Sequence, residues 1–362
     1  MDNLINLAFF LLKIVIITHV QLGAVAYTVW LERKLIGRMQ NRWGPTRVGW
    51  FGLLQPIADG LKFIVKEDLL PPGVNKGFFL LAPLLAVALG LTSLALIPFG
   101  ETVTIAGRVI PMQITGILAS NGTVFDPGVG LLIILGITSI GVYGIALAGW
   151  ASNSKYSLLG SLRATAQMIS YELALGLSLV GVIIMSGSLS LREIVNAQAG
   201  PFWHWNFFLG GQFVAFFIYL TAAFAETNRI PFDLPEAETE LVAGYHTEYS
   251  AMKFAMFFMA EYANMFTAAS VATLLFLGGW HSPFEGLGLP QIPLPQIIAA
   301  FIPVFWFAFK LFLFIFLYIW IRGTLPRFRY DQLMAFGWKV LLPLAIANIV
   351  VTSAIVALKF HS

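Results

Sequence analysis

Cysteine is missing from all 362 residues, so this chain can build no disulfide, no iron–sulfur ligation and no thiolate zinc site. Charge is nearly as scarce: Lys, Arg, Asp and Glu make up 11% of the residues, against roughly 25% in an average soluble domain. A chain that is 58% hydrophobic, with a mean hydropathy of +0.82, has lipid as its main solvent. The formal net charge of +3 is too small to argue for a nucleic-acid partner. His19, His204, His246, His281 and His361 show no ligand spacing, so no metal or haem site of the chain's own is expected. Internal repeats, low-complexity tracts and flexible linkers are lacking too. The expectation is one integral membrane domain over residues 1–362, all-α in class.

What the chain does have is long apolar runs. A spanning helix needs about 20 mostly apolar residues, and eight segments qualify: Leu4–Leu31, Phe78–Phe99, Gly128–Trp150, Ala164–Met185, Phe207–Ala225, Phe254–Leu277, Ile297–Ile321 and Val340–Leu358. The first lacks a basic leader and is too long for a signal-peptide core, so it reads as a retained helix. Of the 21 Lys and Arg residues, sixteen fall in four loops (32–77, 151–163, 226–253 and 322–339) and three on the opposite flanks, at Arg108, Arg192 and Lys359. Lys13 and Lys310 lie inside spans. That asymmetry places the four loops on the cytoplasmic or matrix side and both termini on the periplasmic side. Trp30, Trp150, Trp280, Trp320 and Trp338 fall near span ends, as interfacial aromatics do.

The first of these loops carries its own helix. Leu53, Leu54, Ile57, Leu61, Ile64 and Val65 recur at helical spacing, with Gln55, Asp59, Lys62 and Lys66 on the opposite face. This predicts an amphipathic helix on the membrane surface, in which Pro56 is tolerable because it sits in the first turn.

Candidate chemistry lies with acids in apolar surroundings. Glu172 lies inside the fourth span, Glu226 at the end of the fifth and Glu261 inside the sixth. An ionised acid at the bilayer centre costs roughly 2.5–3.5 kcal/mol on the insertion scale. One such residue can be a neutral, hydrogen-bonded structural group; three are harder to place that way. Carboxylates held close together in a poorly solvated channel titrate as a coupled set, with affinities suited to proton transfer. A second group, Asp233, Glu236, Glu238, Glu240 and Glu248, follows Glu226 with Arg229 as the only cation before Lys253. It reads equally as a solvated acidic loop or, because Pro231, Phe232, Leu234 and Pro235 interrupt it, as a packed segment lining a cavity.

Four collinear motifs carry a resemblance. They are Gln40–Gly49 (QNRWGPTRVG) with Leu54–Lys62 and Lys66-Glu67; Gly149-Trp150 and Asn153–Gly160 with Ser170-Tyr171-Glu172; Ala225–Leu241 (AETNRIPFDLPEAETEL), continuing through Thr247–Ser250 to Glu261-Tyr262; and Leu325–Met334 (LPRFRYDQLM). In order and over essentially the whole chain, these resemble the quinone-chamber membrane subunit of respiratory complex I, the H-type subunit of the bacterial NADH-quinone oxidoreductase and the first subunit of the mitochondrial one. Ala251 departs from the family's usual glycine, which puts the local backbone geometry in question.

The resemblance implies a component of a proton-pumping translocase in the bacterial cytoplasmic membrane, equivalent to the mitochondrial inner membrane. Its cytoplasmic loops pack on hydrophilic subunits to enclose a quinone, ubiquinone or menaquinone, whose tail enters beside the first helix and the surface helix. By resemblance, Arg33, Arg42, Asp59 and Phe232 line or shape that chamber. Topology and subunit contacts also account for the arginines. Glu172, Glu226, Glu236, Glu238, Glu240, Glu248 and Glu261 match the acids that lead from the chamber into the membrane arm. Iron–sulfur clusters belong to partner subunits, and small and antiporter-like membrane subunits are the implied neighbours. Two rivals are the related subunit of a membrane-bound hydrogenase and a stand-alone ion transporter, although the broken-helix repeat symmetry of many transporters is not visible.

Overall fold

The computed structural model describes residues 2–100, 102–105, 108–113, 117–118, 124–125, 128–233, 243–286 and 296–361. Eleven α-helices are described: α1 Asp2–Met39, α2 Gln55–Val65, α3 Lys76–Ala95, α4 Gly130–Ala151, α5 Lys155–Ser186, α6 Leu191–Asn196, α7 Gln212–Glu226, α8 Ala251–Phe276, α9 Gln296–Thr324, α10 Tyr330–Phe336 and α11 Leu342–His361. A π-turn at Gly337–Leu341 joins the last two. Six helical stretches are long and apolar enough to cross a membrane: Ile14–Met39, Lys76–Ala95, Gly130–Ala151, Lys155–Ser186, Phe301–Thr324 and Tyr330–Leu358.

Several boundaries move relative to the sequence expectation. Helix α5 starts at Lys155, so most of the loop expected at 151–163 adds about two and a half helical turns to that span. The fifth predicted span, Phe207–Ala225, is helical only from Gln212. Gly210 and Gly211 hold φ of 57° and 80°, a left-handed backbone that stops a helix. The fifteen residues of α7 extend about 22 Å, short of a hydrocarbon core about 30 Å thick. The sixth predicted span is the 26-residue α8, mostly buried inside the bundle. The all-α expectation holds for the bundle. Two small antiparallel ladders lie between α3 and α4: Thr102–Ile105 pairs with Arg108–Pro111, and Ile117–Leu118 with Val124–Phe125. The Thr, Val and Ile residues of the first ladder favour a pleated strand over a helix.

The core is built on α5, α7 and α8. Tyr171, Leu175, Leu179 and Val182 of α5 meet Ile218, Tyr219 and Ala222 of α7, and Met265, Ala269 and Leu274 of α8. A second cluster joins Phe79, Val142, Met168, Tyr245 and Phe257. Small residues set the helix spacing: a Cβ at Gly149 would lie 2.1 Å from Ser161 Oγ, so α4 and α5 approach to backbone contact there. Trp150, Trp320 and Trp338 are exposed, whereas Trp280 is buried in the core.

Lys310 of α9, 4% exposed, has a structural role that its sequence position did not reveal. Its ammonium donates to the carbonyls of Leu277 (2.6 Å), Gly279 (2.9 Å) and His281 (2.7 Å) and sits 4.1 Å from the Trp205 ring centre. These carbonyls belong to the chain just past the C-terminus of α8, where a cation also complements the helix dipole. Lys310→Met is expected to strip the carbonyls of their donor and destabilise the protein by about 3 kcal/mol. The thermal inactivation of the detergent-solubilised protein measures this, and an unchanged midpoint rules the capping role out. The side chain of Lys13 lies outside those described.

Candidate functional site

A cavity opens where α3, α4, α5, α7 and α8 converge, and its polar lining includes Glu226, Glu261, Thr138, Asn228, Tyr245 and Asn264. Its interior space of about 30 Å³ is enough for an ordered water, which needs roughly 10–15 Å³ and two to four polar partners. The sequence around Glu226 explains its placement. Helix α7 ends at Glu226, the Thr227 hydroxyl donates back to Ala223 O at 2.9 Å, and Asn228 turns the chain with a φ of 50°. From α5, the buried Gln167 amide donates to Ala225 O and Phe232 O, both at 2.8 Å, and reaches Asn228 Oδ1 at 3.2 Å. That one side chain staples both ends of the turn. Glu172 of α5 accepts a hydrogen bond from the Ser139 hydroxyl of α4 and is within electrostatic reach of Glu226.

A second constellation adjoins the cavity. Glu32, near the end of α1, accepts the Tyr262 hydroxyl at 2.7 Å and pairs with Arg322 of α9. Arg229, three residues beyond α7, lies 3.6 Å from Glu32 Oε2 and 3.8 Å from Glu261 Oε2, with its guanidinium 4.0 Å from the Tyr262 ring centre. The Tyr245 hydroxyl donates to Glu261 at 3.2 Å. Among the described residues, two carboxylates and two guanidiniums therefore form a largely buried cluster, and Arg229 bridges from Glu32 to the cavity wall at Glu261.

The expected chamber residues fall into two places. Arg33 and Asp59 form a 2.8 Å ion pair that ties α1 to α2, with Gln55 donating to the same carboxylate at 3.2 Å. Arg42 is exposed and donates to Gln40 at 2.8 Å. Phe232 is buried, its ring 5.7 Å from Tyr171 and 5.5 Å from Phe328. Beside it, Asp233 meets Arg327 at 3.2 Å, tying the loop after α7 to the one after α9. Helix α2 turns Asp59 inward and leaves Ile57, Leu61 and Ile64 exposed. Glu248 is half-buried just before α8. Glu236, Glu238 and Glu240 lie outside the described residues. Ala251 opens α8 with a φ of 51°, the left-handed conformation that glycine adopts at no cost.

The structure thus brings Glu172, Glu226 and Glu261 into one region and pairs Arg33 with Asp59. Sequence reasoning missed Glu32 and counted Arg229 and Arg322 only as topological charges. One signal was available: Glu32 is the only acid between Asp2 and Asp59, and it stands at the end of an apolar run among basic residues.

Comparison with known proteins agrees over nearly the full length. A family model described as NADH dehydrogenase matches residues 12–353. An H-type subunit of the NADH-quinone oxidoreductase of Koribacter versatilis is 70% identical over 349 residues, covering 96% of this chain and 97% of that protein. Its counterpart in Geobacter sulfurreducens is 53% identical, covering 96% and 94%. The counterpart in Thermomicrobium roseum is 50% identical, covering 94% of each.

Proposed function

Because the chain belongs to the NADH dehydrogenase family and matches the H-type subunits of bacterial NADH-quinone oxidoreductases along nearly its whole length, we propose that it is the membrane component that walls the quinone chamber and opens the proton path of such an enzyme. In this reading eight helices cross the cytoplasmic membrane, with α7 and α8 completing the six spans above, and both termini face the periplasm. The hydrophilic subunits, which carry the iron–sulfur clusters, dock on the loops after α1, α7 and α9. Antiporter-like subunits lie beyond the acids.

The cavity between Glu226 and Glu261 carries the proposal. Reducing a quinone to a quinol takes two electrons and two protons, so negative charge arises in the chamber until protons arrive. Arg229 touches carboxylates on both sides of the divide, Glu32 and Glu261. A change of charge near Glu32 shifts the balance of that bridge and hence the proton affinity of Glu261, and a water in the cavity relays the proton to Glu226. Glu172 continues the path, while Glu248, Glu236, Glu238 and Glu240 lead in from the loop. Around the quinone, the Arg33–Asp59 pair fixes the mouth between α1 and α2. The exposed apolar face of α2 rests on the bilayer, Phe232 backs the wall, and Arg42 offers its guanidinium to the head group. A mostly apolar tube with a few polar contacts suits a small lipid-soluble substrate.

The test is the purified complex: NADH oxidation with quinone reduction supports this reading, and hydrogen evolution without it supports the hydrogenase rival. Within the complex, Arg42→Ala is expected to weaken a quinone-site inhibitor about tenfold, the loss of one charged hydrogen bond. Unchanged potency removes Arg42 from the chamber.

A further inference from the structure

We propose that Gln167 of α5 is a positioning residue for quinone-coupled proton transfer: its carboxamide fixes Glu226 at the cavity relative to Phe232 at the chamber wall. This role rests on the function proposed above and adds a group that neither carries the proton nor meets the quinone.

The turn from the end of α7 to Asp233 has two halves. The near half belongs to the cavity, since Glu226, Thr227 and Asn228 all line it. The far half belongs to the loop after α9. There Phe328 N donates to Pro231 O at 3.1 Å, the Phe232 ring lies 5.5 Å from that of Phe328, and Asp233 pairs with Arg327. Backbone hydrogen bonds inside the turn are short in reach: Asn228 N to Ala225 O, Arg229 N to Phe224 O and Phe232 N to Arg229 O. The Gln167 amide crosses the whole of it. It donates to Ala225 O and Phe232 O at 2.8 Å each, with Asn228 Oδ1 at 3.2 Å. Gln167, Ala225, Asn228 and Phe232 are all buried, so these bonds are internal to the chain and do not depend on what docks on its surface.

A carboxamide suits the task. One nitrogen carries two diverging N–H groups, so a single side chain holds a carbonyl from each half. Three acceptors around that nitrogen leave one orientation of the amide. Its oxygen is buried and accepts from no group among the described residues. Buried polar atoms are nearly always paired, and a side chain that leaves one idle to reach three acceptors is placed for those acceptors. Helix α5 is a fit reference for them. One turn on from Gln167, Tyr171 packs its ring 5.7 Å from that of Phe232 and donates to Leu333 O at 2.8 Å. Glu172, next to it, is within electrostatic reach of Glu226. Without the two N–H groups, the Phe232 ring keeps Tyr171 and Phe328 as neighbours, whereas the end of α7 loses its polar tie to α5. The consequence is a slower proton step beside an intact quinone site.

The experiment uses the intact complex in sealed vesicles, with NADH oxidation by an artificial acceptor as the measure of assembly. Gln167→Met keeps the length of the side chain and removes both donors. It is expected to lower kcat for quinone reduction on the order of tenfold, because small misplacements of a reacting group are costly, and to leave KM for the quinone within about twofold. Gln167→Glu is the conservative variant. Its carboxyl donates one bond when protonated and, when ionised, turns negative charge on three acceptors. Glu226, Arg229 and Asp233 each follow one of those acceptors in the chain, and Tyr171 and Glu172 stand on α5 itself. The unaltered complex carries the same five groups and is the reference for the pH profile. Relative to it, turnover of Gln167→Glu is expected to fall reversibly as pH rises, a profile that a merely structural role would not produce. Normal kcat in Gln167→Met, a KM that moves as far as kcat, a Gln167→Glu deficit equal at every pH, or failure of both variants to assemble would each overturn the proposal. None of these outcomes bears on the chain's place in a quinone reductase, which falls only if the unaltered complex reduces no quinone.

Discussion

Glu226→Gln is expected to lower NADH-driven quinone reduction and proton pumping on the order of a hundredfold, the range in which a positioned acid–base group acts. Glutamine keeps the volume and polarity of the side chain, so the cavity and the turn held by Gln167 survive. What disappears is the ability to take up and release a proton. Glu226 is the sharper probe of the three clustered acids because the other two are bonded to neighbours: Glu261 lies 3.8 Å from Arg229 and accepts Tyr245, and Glu172 accepts Ser139. Neutralising either of those mixes a structural effect with a functional one. The measurement pairs quinone reduction and pumping in sealed vesicles with NADH oxidation by an artificial acceptor, which reports assembly. Glu248→Gln is expected to act in the same direction. Normal pumping in both variants would sink the proton path and leave a chain that only shelters its substrate.

Much of this was legible in the residues alone, and the reason is energetic. Apolar runs that lipid must solvate announce their helices, so six spans fall near where the residues placed them. Glu172, Glu226 and Glu261 stood out because acids in oil are costly. Three kinds of feature stayed hidden. Glu32 gave only the weak signal of a lone acid because it lies among the basic residues that flank the first span, where a charge is ordinary. Lys310 was visible as an ion in a membrane helix, but a sequence does not distinguish a cation poised for chemistry from one bonded to three carbonyls of a distant loop. The residue pattern places Asp59 on the outer, polar face of α2, yet it points inward because its partner, Arg33, is twenty-six residues away on α1. Each miss is a long-range pairing.

The buried charge cluster yields the largest stability effect. Among the described residues Glu32 and Glu261 match Arg229 and Arg322 in charge, and the site is held by pairing and by the Tyr262 and Tyr245 hydroxyls. Glu32→Leu breaks that balance. Arg322 loses its carboxylate, Arg229 loses one of its two carboxylates among the described residues, and positive charge is left unbalanced where Glu32 was 7% exposed. Removing one partner of a buried ion pair costs about 3–5 kcal/mol, and the lower figure applies because the Arg322 side chain, 31% exposed, retains some water. Because a large membrane complex unfolds irreversibly, the readout is its half-life in detergent at fixed temperature, expected to shorten at least tenfold. The double variant Glu32→Leu with Arg322→Leu removes one charge of each sign, and apolar replacement of a complete buried pair is often close to neutral. It is therefore expected to recover most of the lost half-life. Quinone reduction separates the cluster's two roles: if Arg229 relays charge from Glu32 to Glu261, the double variant assembles and persists but turns over slowly. A double variant no longer-lived than the single one would refute the charge-balance account, and one with full turnover would confine Glu32 to holding α1 against α8 and α9.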